Sequence, residues 1–240
     1  MSGYFYAIGG ANYEKNESLI IDLDIIKESK KAKPNVLFIP AANNDEISKI
    51  EVFVNYYTKL NTNVEVLYSN SSSLNCDIIK MKVEKADIIY LAGGITSRLY
   101  DFLMKYNLQE ILKNAYESGK IIVGVSAGAI VFFDYGFGDK EAYVFNLETV
   151  NHRFTKGLGI LSGVFCPHYQ NNGLLSFHDE IKHFKLDGYA LENGAALKIN
   201  NEGFVVVKNK GSNAFKFDFN DNHKLVYLNQ NCIYNETLIK

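Results

Sequence analysis

What the sequence has little of narrows the field first. Only three cysteines occur, Cys76, Cys166 and Cys232, odd in number, widely spaced and without a C-x-x-C pair, which argues against a disulfide framework or a zinc site. No apolar run approaches the roughly 20 residues that a membrane helix needs, and Met-Ser-Gly-Tyr-Phe-Tyr-Ala-Ile-Gly-Gly at the start has no basic region ahead of a long apolar stretch. A cytoplasmic protein without membrane contact is therefore expected. Excess positive charge is also missing: the net charge is -2, which leaves no electrostatic case for nucleic acid or an anionic lipid surface. There is no Pro-rich or Ser-rich linker and no internal repeat, so residues 1–240 read as one domain.

What is present is an ordinary globular composition, 47% hydrophobic and 22% charged, in a chain of 240 residues that can bury well over half of its unfolded surface. Strand-like and helix-like segments alternate: residues 4–8 then 17–29, 36–39 then 46–60, 64–67 then 74–85, 88–91 then 96–118, and 121–125 followed by an apolar helix. The strands are continuous apolar runs, as expected when helices cover both faces of a parallel sheet. An α/β fold follows, a three-layer α/β/α sandwich with a mostly parallel sheet. From about residue 187 short strands broken by turn residues predict a β meander, read as a β-rich extension of the same domain.

In that architecture the loops after the strands converge on one edge of the sheet. One of them is Gly-Val-Ser-Ala-Gly, residues 124–128, a buried strand that breaks into a helix with Ser126 at the corner. A serine on such a turn sits in strained backbone and needs small neighbours, which Gly124 and Gly128 supply; this is a nucleophile elbow. The same five residues also describe a tight connection with a capping serine. Two further segments favour chemistry. Residues 90–100, Tyr-Leu-Ala-Gly-Gly-Ile-Thr-Ser-Arg-Leu-Tyr, bring glycines to the same edge, and the N–H groups of Gly94 and Ala127 make an oxyanion site.

Val-Phe-Cys-Pro-His-Tyr places His168 just past a short strand, the best context among five histidines for a general base. Its far nitrogen needs an acceptor. Glu192, between a strand-like run and an Asn-Gly turn, is the chosen acid, with Asp134 the rival and Asp179 behind it. An α/β-hydrolase esterase would share the elbow but order its residues serine, acid, then a late histidine, which here leaves only His223. A non-catalytic binding module is the remaining alternative.

With Gly93-Gly94, Gly-Val-Ser-Ala-Gly-Ala around Ser126, Pro167-His168 and Glu-Asn-Gly-Ala-Ala-Leu from Glu192, the chain resembles the peptidase E and cyanophycinase family of serine peptidases, which has a class I glutamine amidotransferase-like, flavodoxin-like fold. The resemblance implies Ser126 as nucleophile, His168 as base, Glu192 as orienting acid and oxyanion donors from Gly94 and Ala127. Gly93, Ile95, Thr96 and Arg98, on and just after the same glycine loop, are the expected substrate contacts, Arg98 as the partner of a substrate carboxylate, and short peptides the expected substrate; the resemblance further implies hydrolysis through an acyl-enzyme, no metal or organic cofactor, and a homodimer. The family typically carries Gly-Gly-Asn-Thr where this chain has Gly-Gly-Ile-Thr, so Ile95 leaves a dipeptidase or aminopeptidase-like activity without an assured preference for N-terminal aspartate.

Overall fold

A computed structural model of the chain describes residues 2–138, 154–170, 176–230 and 232–240. Strands and helices alternate as β1 (Tyr4–Ile8), α1 (Leu19–Glu28), β2 (Asn35–Ile39), α2 (Ile47–Lys59), β3 (Asn63–Val66), α3 (Cys76–Lys85), β4 (Ile88–Leu91), α4 (Thr96–Lys105), α5 (Leu108–Glu117), β5 (Ile121–Val125) and α6 (Ala127–Ile130). The remaining elements are β6 (Tyr135–Phe137), β7 (Phe154–Lys156), β8 (Val164–Cys166), α7 (Phe177–Glu180), β9 (Gly188–Leu191), β10 (Ala195–Asn200), β11 (Gly203–Lys208), β12 (Ala214–Asp218), β13 (Lys224–Tyr227) and β14 (Ile233–Tyr234). None of the described helices is long and apolar enough to cross a membrane.

An eight-stranded sheet has the order β14-β11-β10-β1-β5-β4-β2-β3, parallel from β1 to β3 and antiparallel from β10 to β14. Because successive side chains of a strand point to opposite faces, its apolar runs serve two cores. Phe5, Ala7, Leu37, Ile39, Ile89, Leu91 and Ile122 face Ile79, Val83, Leu99, Leu103 and Leu112 of α3 to α5. Tyr6, Ile8, Val36, Phe38, Ile88, Tyr90, Val123 and Val125 face Ile21, Ile25, Phe53 and Tyr57 of α1 and α2. Three layers result, and continuous apolar strands are what such double coverage requires.

The sequence predicts one helix over 96–118; the chain instead breaks between α4 and α5, where Asn107 takes a left-handed conformation (φ 51°) that asparagine tolerates better than most residues. The β-rich C-terminal part is present, but its strands are shared between two sheets. The β10–β11 hairpin extends the large sheet, whereas β9, β12 and β13 join a six-stranded sheet of order β13-β12-β9-β8-β6-β7. All four residues of β9 are buried and the strand pairs on both edges, with β8 and β12, so it cannot lie at the rim of a simple meander.

One buried carboxyl stands inside the α1–α2 layer. Asp22 accepts hydrogen bonds from the hydroxyls of Tyr57 (2.6 Å) and Tyr56 (3.0 Å), and burial pushes its pKa up from 3.8 to about 6 against those donors. A folded-state value above the unfolded one means that this group favours folding most at low pH and loses that contribution as pH rises through about 6. Asp22→Asn keeps the shape without the titration. Wild-type stability minus that of Asp22→Asn, from urea unfolding, is therefore expected to fall between pH 4 and pH 7 by on the order of 3 kcal/mol; a difference independent of pH would contradict the shift.

Candidate functional site

Ser126 leaves the end of β5 with φ 54° and ψ -115°, a conformation that a residue with a side chain rarely adopts and that costs on the order of 1–3 kcal/mol. The turn is held by backbone. Ser126 N–H donates to the Ile8 carbonyl (2.9 Å), and the Ser126 carbonyl accepts from Ala129 and Ile130 N–H (2.9 Å each). A Cβ on Gly124 would lie 2.1 Å from the Gly128 carbonyl oxygen, and one on Gly128 would lie 2.3 Å from that of Leu91. Both flanks are therefore glycine because the corner closes on main chain that cannot yield.

The loop after β4 meets the elbow. A Cβ on Gly93 would sit 3.3 Å from that of Ser126, and Gly94, at φ 144°, leaves only 2.5 Å between such a Cβ and the Ala42 carbonyl oxygen, which already accepts from Ile95 N–H (2.8 Å). Ala127 opens α6, where an N–H has no carbonyl inside the helix to bond. Gly93 thus packs against Ser126, Gly94 lies on the same cleft wall, and Ala127 follows Ser126 at the start of α6.

His168 follows β8 and completes the contact: its Nε2 is 2.8 Å from Ser126 Oγ. The imidazole is fixed from behind. The main-chain N–H of His168 donates to the Gly9 carbonyl (3.0 Å), and on the ring Nδ1 lies 2.7 Å from Asn193 Oδ1. Asn193 Nδ2 donates to Glu17 Oε2 (3.3 Å), which settles the orientation of the amide, since a carboxylate can only accept. The amide oxygen therefore faces the ring, Nδ1 carries the proton, and Nε2 is left as the acceptor for Ser126 Oγ–H.

The expectation that Glu192 orients His168 is not met. Its carboxylate accepts instead from Asn213 N–H (2.8 Å) and Nδ2 (3.1 Å), on the far side of the turn, and the next residue, Asn193, takes the place against the ring. The rivals are committed elsewhere: Asp134 accepts from Gly163 N–H (3.0 Å) and pairs with Lys240, and exposed Asp179 pairs with Lys182 (3.0 Å). His223, the late histidine of the esterase alternative, is buried with Nε2 3.0 Å from the Leu186 carbonyl oxygen and does not reach Ser126.

Three contributors have roles that the local sequence does not disclose. Glu17 and Asn193 meet from opposite ends of the chain, 176 residues apart. Gly10 packs on their junction, since a Cβ there would come within 2.1 Å of Asn193 Oδ1 and 2.5 Å of His168 Nδ1. Cys166, two residues before His168, is fully buried, and burial pushes its thiol well above the ordinary range, so it offers no second nucleophile.

Ser126 and His168 open onto a cleft of about 590 Å³ across the carboxyl ends of β5, β4 and β2, with Gly93 and Gly94 on its wall. Ile95, Thr96 and Arg98 are not on that wall. Thr96 is buried at the start of α4, and Arg98 is exposed two residues further on, because the chain turns away into the helix directly after Gly94. Asn43, Glu46 and residues 11–14 line the cleft in their stead.

Comparison with known proteins bears on the family and the fold. The model of Peptidase family S51 matches residues 5–207. The chain is 31% identical over 219 residues to the uncharacterized peptidase YgaJ of Bacillus subtilis (strain 168), covering 88% of this chain and 90% of that protein. It is 23% identical over 187 residues to an uncharacterized peptidase of Pasteurella multocida (strain Pm70), covering 72% and 84%. Among solved structures, a peptidase from an acI-B1 Actinobacterium superposes with a TM-score of 0.73 at 19% identity over 98% of both chains. A putative peptidase E protein of Listeria monocytogenes EGD-e superposes with a TM-score of 0.66 at 18% identity, over 88% of this chain and all of that one. At these identities the structures establish likeness of fold.

Proposed function

The chain belongs to peptidase family S51 and is a serine-type peptidase, and we propose that it hydrolyses short peptides, as a dipeptidase or aminopeptidase-like enzyme, through an acyl-enzyme on Ser126. The observation that carries this reading is the 2.8 Å contact between Ser126 Oγ and His168 Nε2 at the mouth of the cleft. Attack begins as His168 Nε2 takes the Ser126 hydroxyl proton while Oγ bonds to the scissile carbonyl carbon. Negative charge then develops on the carbonyl oxygen, where the N–H groups of Gly94 and Ala127 receive it. The imidazolium gives its proton to the leaving amine as the C–N bond breaks. Water, deprotonated by the same nitrogen, releases the acyl group and restores the serine.

Asn193 serves here as the orienting group. It is neutral, so it holds the tautomer of His168 by a hydrogen bond, and Glu17 in turn holds the amide. The cleft volume suits a short peptide. The experiment that tests the reading is hydrolysis of unblocked dipeptides by the wild-type chain beside Ser126→Ala.

A further inference from the structure

The wall of the cleft is not evenly polar. Starting from Val125, next to the nucleophile, apolar side chains run outward across neighbouring strand ends: Ala92 after β4, Phe38 on β2, then Val52 on α2 and Tyr13 on the loop after β1. Tyr13 adds ring rather than hydroxyl, because its OH is turned inward onto Tyr90 OH (3.1 Å) and its ring packs against Tyr56 (5.2 Å between centroids) and Phe53 (5.5 Å). Phe38 is stacked on Phe53 at 3.8 Å and is only 2% exposed. The track is therefore rigid, and a ligand side chain laid on it meets carbon.

Charge in the cleft points the same way. Among the described residues that line it, Lys49 is the one cation, and it is paired with Glu46 at 2.8 Å. Glu14 adds a second carboxylate to the rim, so lysine and the two acids leave the wall net negative. Arg98, the residue best suited to receive a substrate carboxylate, lies off the wall. An acidic side chain entering here would lose water, find no uncommitted cation and face like charge.

From this we infer that the track from Val125 to Tyr13 is the subsite for the side chain on the acyl side of the scissile bond, and that it selects an aliphatic or aromatic residue over aspartate. The inference rests on the peptidase reading for its orientation, since the acyl residue is the one held next to Ser126. Burying a leucine or phenylalanine side chain strengthens binding by roughly ten- to a hundredfold over one left in water.

The test uses leucyl-alanine, phenylalanyl-alanine and aspartyl-alanine in two assays: calorimetric binding to Ser126→Ala, which needs no turnover, and kcat/KM on the active serine protein. Leucyl and phenylalanyl peptides are expected to bind at least tenfold more tightly than the aspartyl peptide. Val52→Lys is expected to lower that ratio about tenfold by giving an acidic side chain a cation, whereas damage to the fold would weaken all three alike. Aspartyl-alanine binding as tightly as leucyl-alanine, or no binding by any of the three, overturns the subsite. Binding preference without cleavage would sink the peptidase reading and leave the subsite standing; cleavage without preference would do the reverse.

Discussion

Gly10→Ala is expected to lower kcat/KM by roughly two to three orders of magnitude while leaving the protein folded. The added Cβ would lie 2.1 Å from Asn193 Oδ1 and 2.5 Å from His168 Nδ1, distances that no real contact of this kind allows. What it meets is the pair of side chains, not main chain, so relief comes by parting His168 from Asn193. His168 then loses the acceptor that fixes its tautomer and drifts from Ser126 Oγ, where even a displacement of about 1 Å can cost about a hundredfold. Near-wild-type unfolding temperature together with the lost turnover is the expected pair of readings. Full activity would mean that the His168–Asn193 contact does not matter.

Asn193 itself gives the second large effect. Asn193→Ala removes the acceptor for His168 Nδ1–H and is expected to cut kcat by about two to three orders of magnitude with little change in KM, since the lost interaction acts in the transition state. Asn193→Asp separates orientation from charge. It puts a carboxylate against the ring, as in many serine hydrolases, but also brings two carboxylates together where Nδ2 now meets Glu17 Oε2 at 3.3 Å. Adding Glu17→Gln replaces that repulsion by a donor. The double variant is therefore expected to be more active than Asn193→Asp alone, with a coupling on the order of 1–3 kcal/mol in a double-mutant cycle. Additive effects would show that Glu17 does not act through Asn193.

The contrast between Asn193 and Glu192 shows how far the sequence could be read. Ser126 and Gly94 are legible because their constraints are local: a strained corner and a close backbone approach leave few choices of residue, and the glycines record them. His168 is legible from its place just past a strand. The orienting group is not, because Glu192 and Asn193 are neighbours in one turn and point in opposite directions, one to Asn213 and the other to the ring. A one-residue difference in direction has no signature in composition. Glu17 is harder still, being 176 residues away from its partner.

The same division holds for the fold. Alternating apolar runs disclosed the parallel core, since both faces of each strand must be apolar when helices cover both. Strand exchange at the C-terminus was hidden, because β9, β10, β11 and β12 are each short and apolar whichever sheet they enter. The break at Asn107 was hidden for a related reason: the flanking residues suit a helix, and only the left-handed asparagine interrupts it. Ile95, Thr96 and Arg98 were placed in the site by proximity to Gly94 in sequence, whereas the chain enters α4 at once and carries them off the wall.

The most direct measurement is cleavage of unblocked dipeptides by the wild-type protein and by Ser126→Ala, followed by release of free amino acids. Cleavage by the wild type that falls by at least about a thousandfold in Ser126→Ala, with the unfolding transition unchanged, is the expected result. Cleavage that survives the substitution would contradict the assignment of Ser126 as the nucleophile.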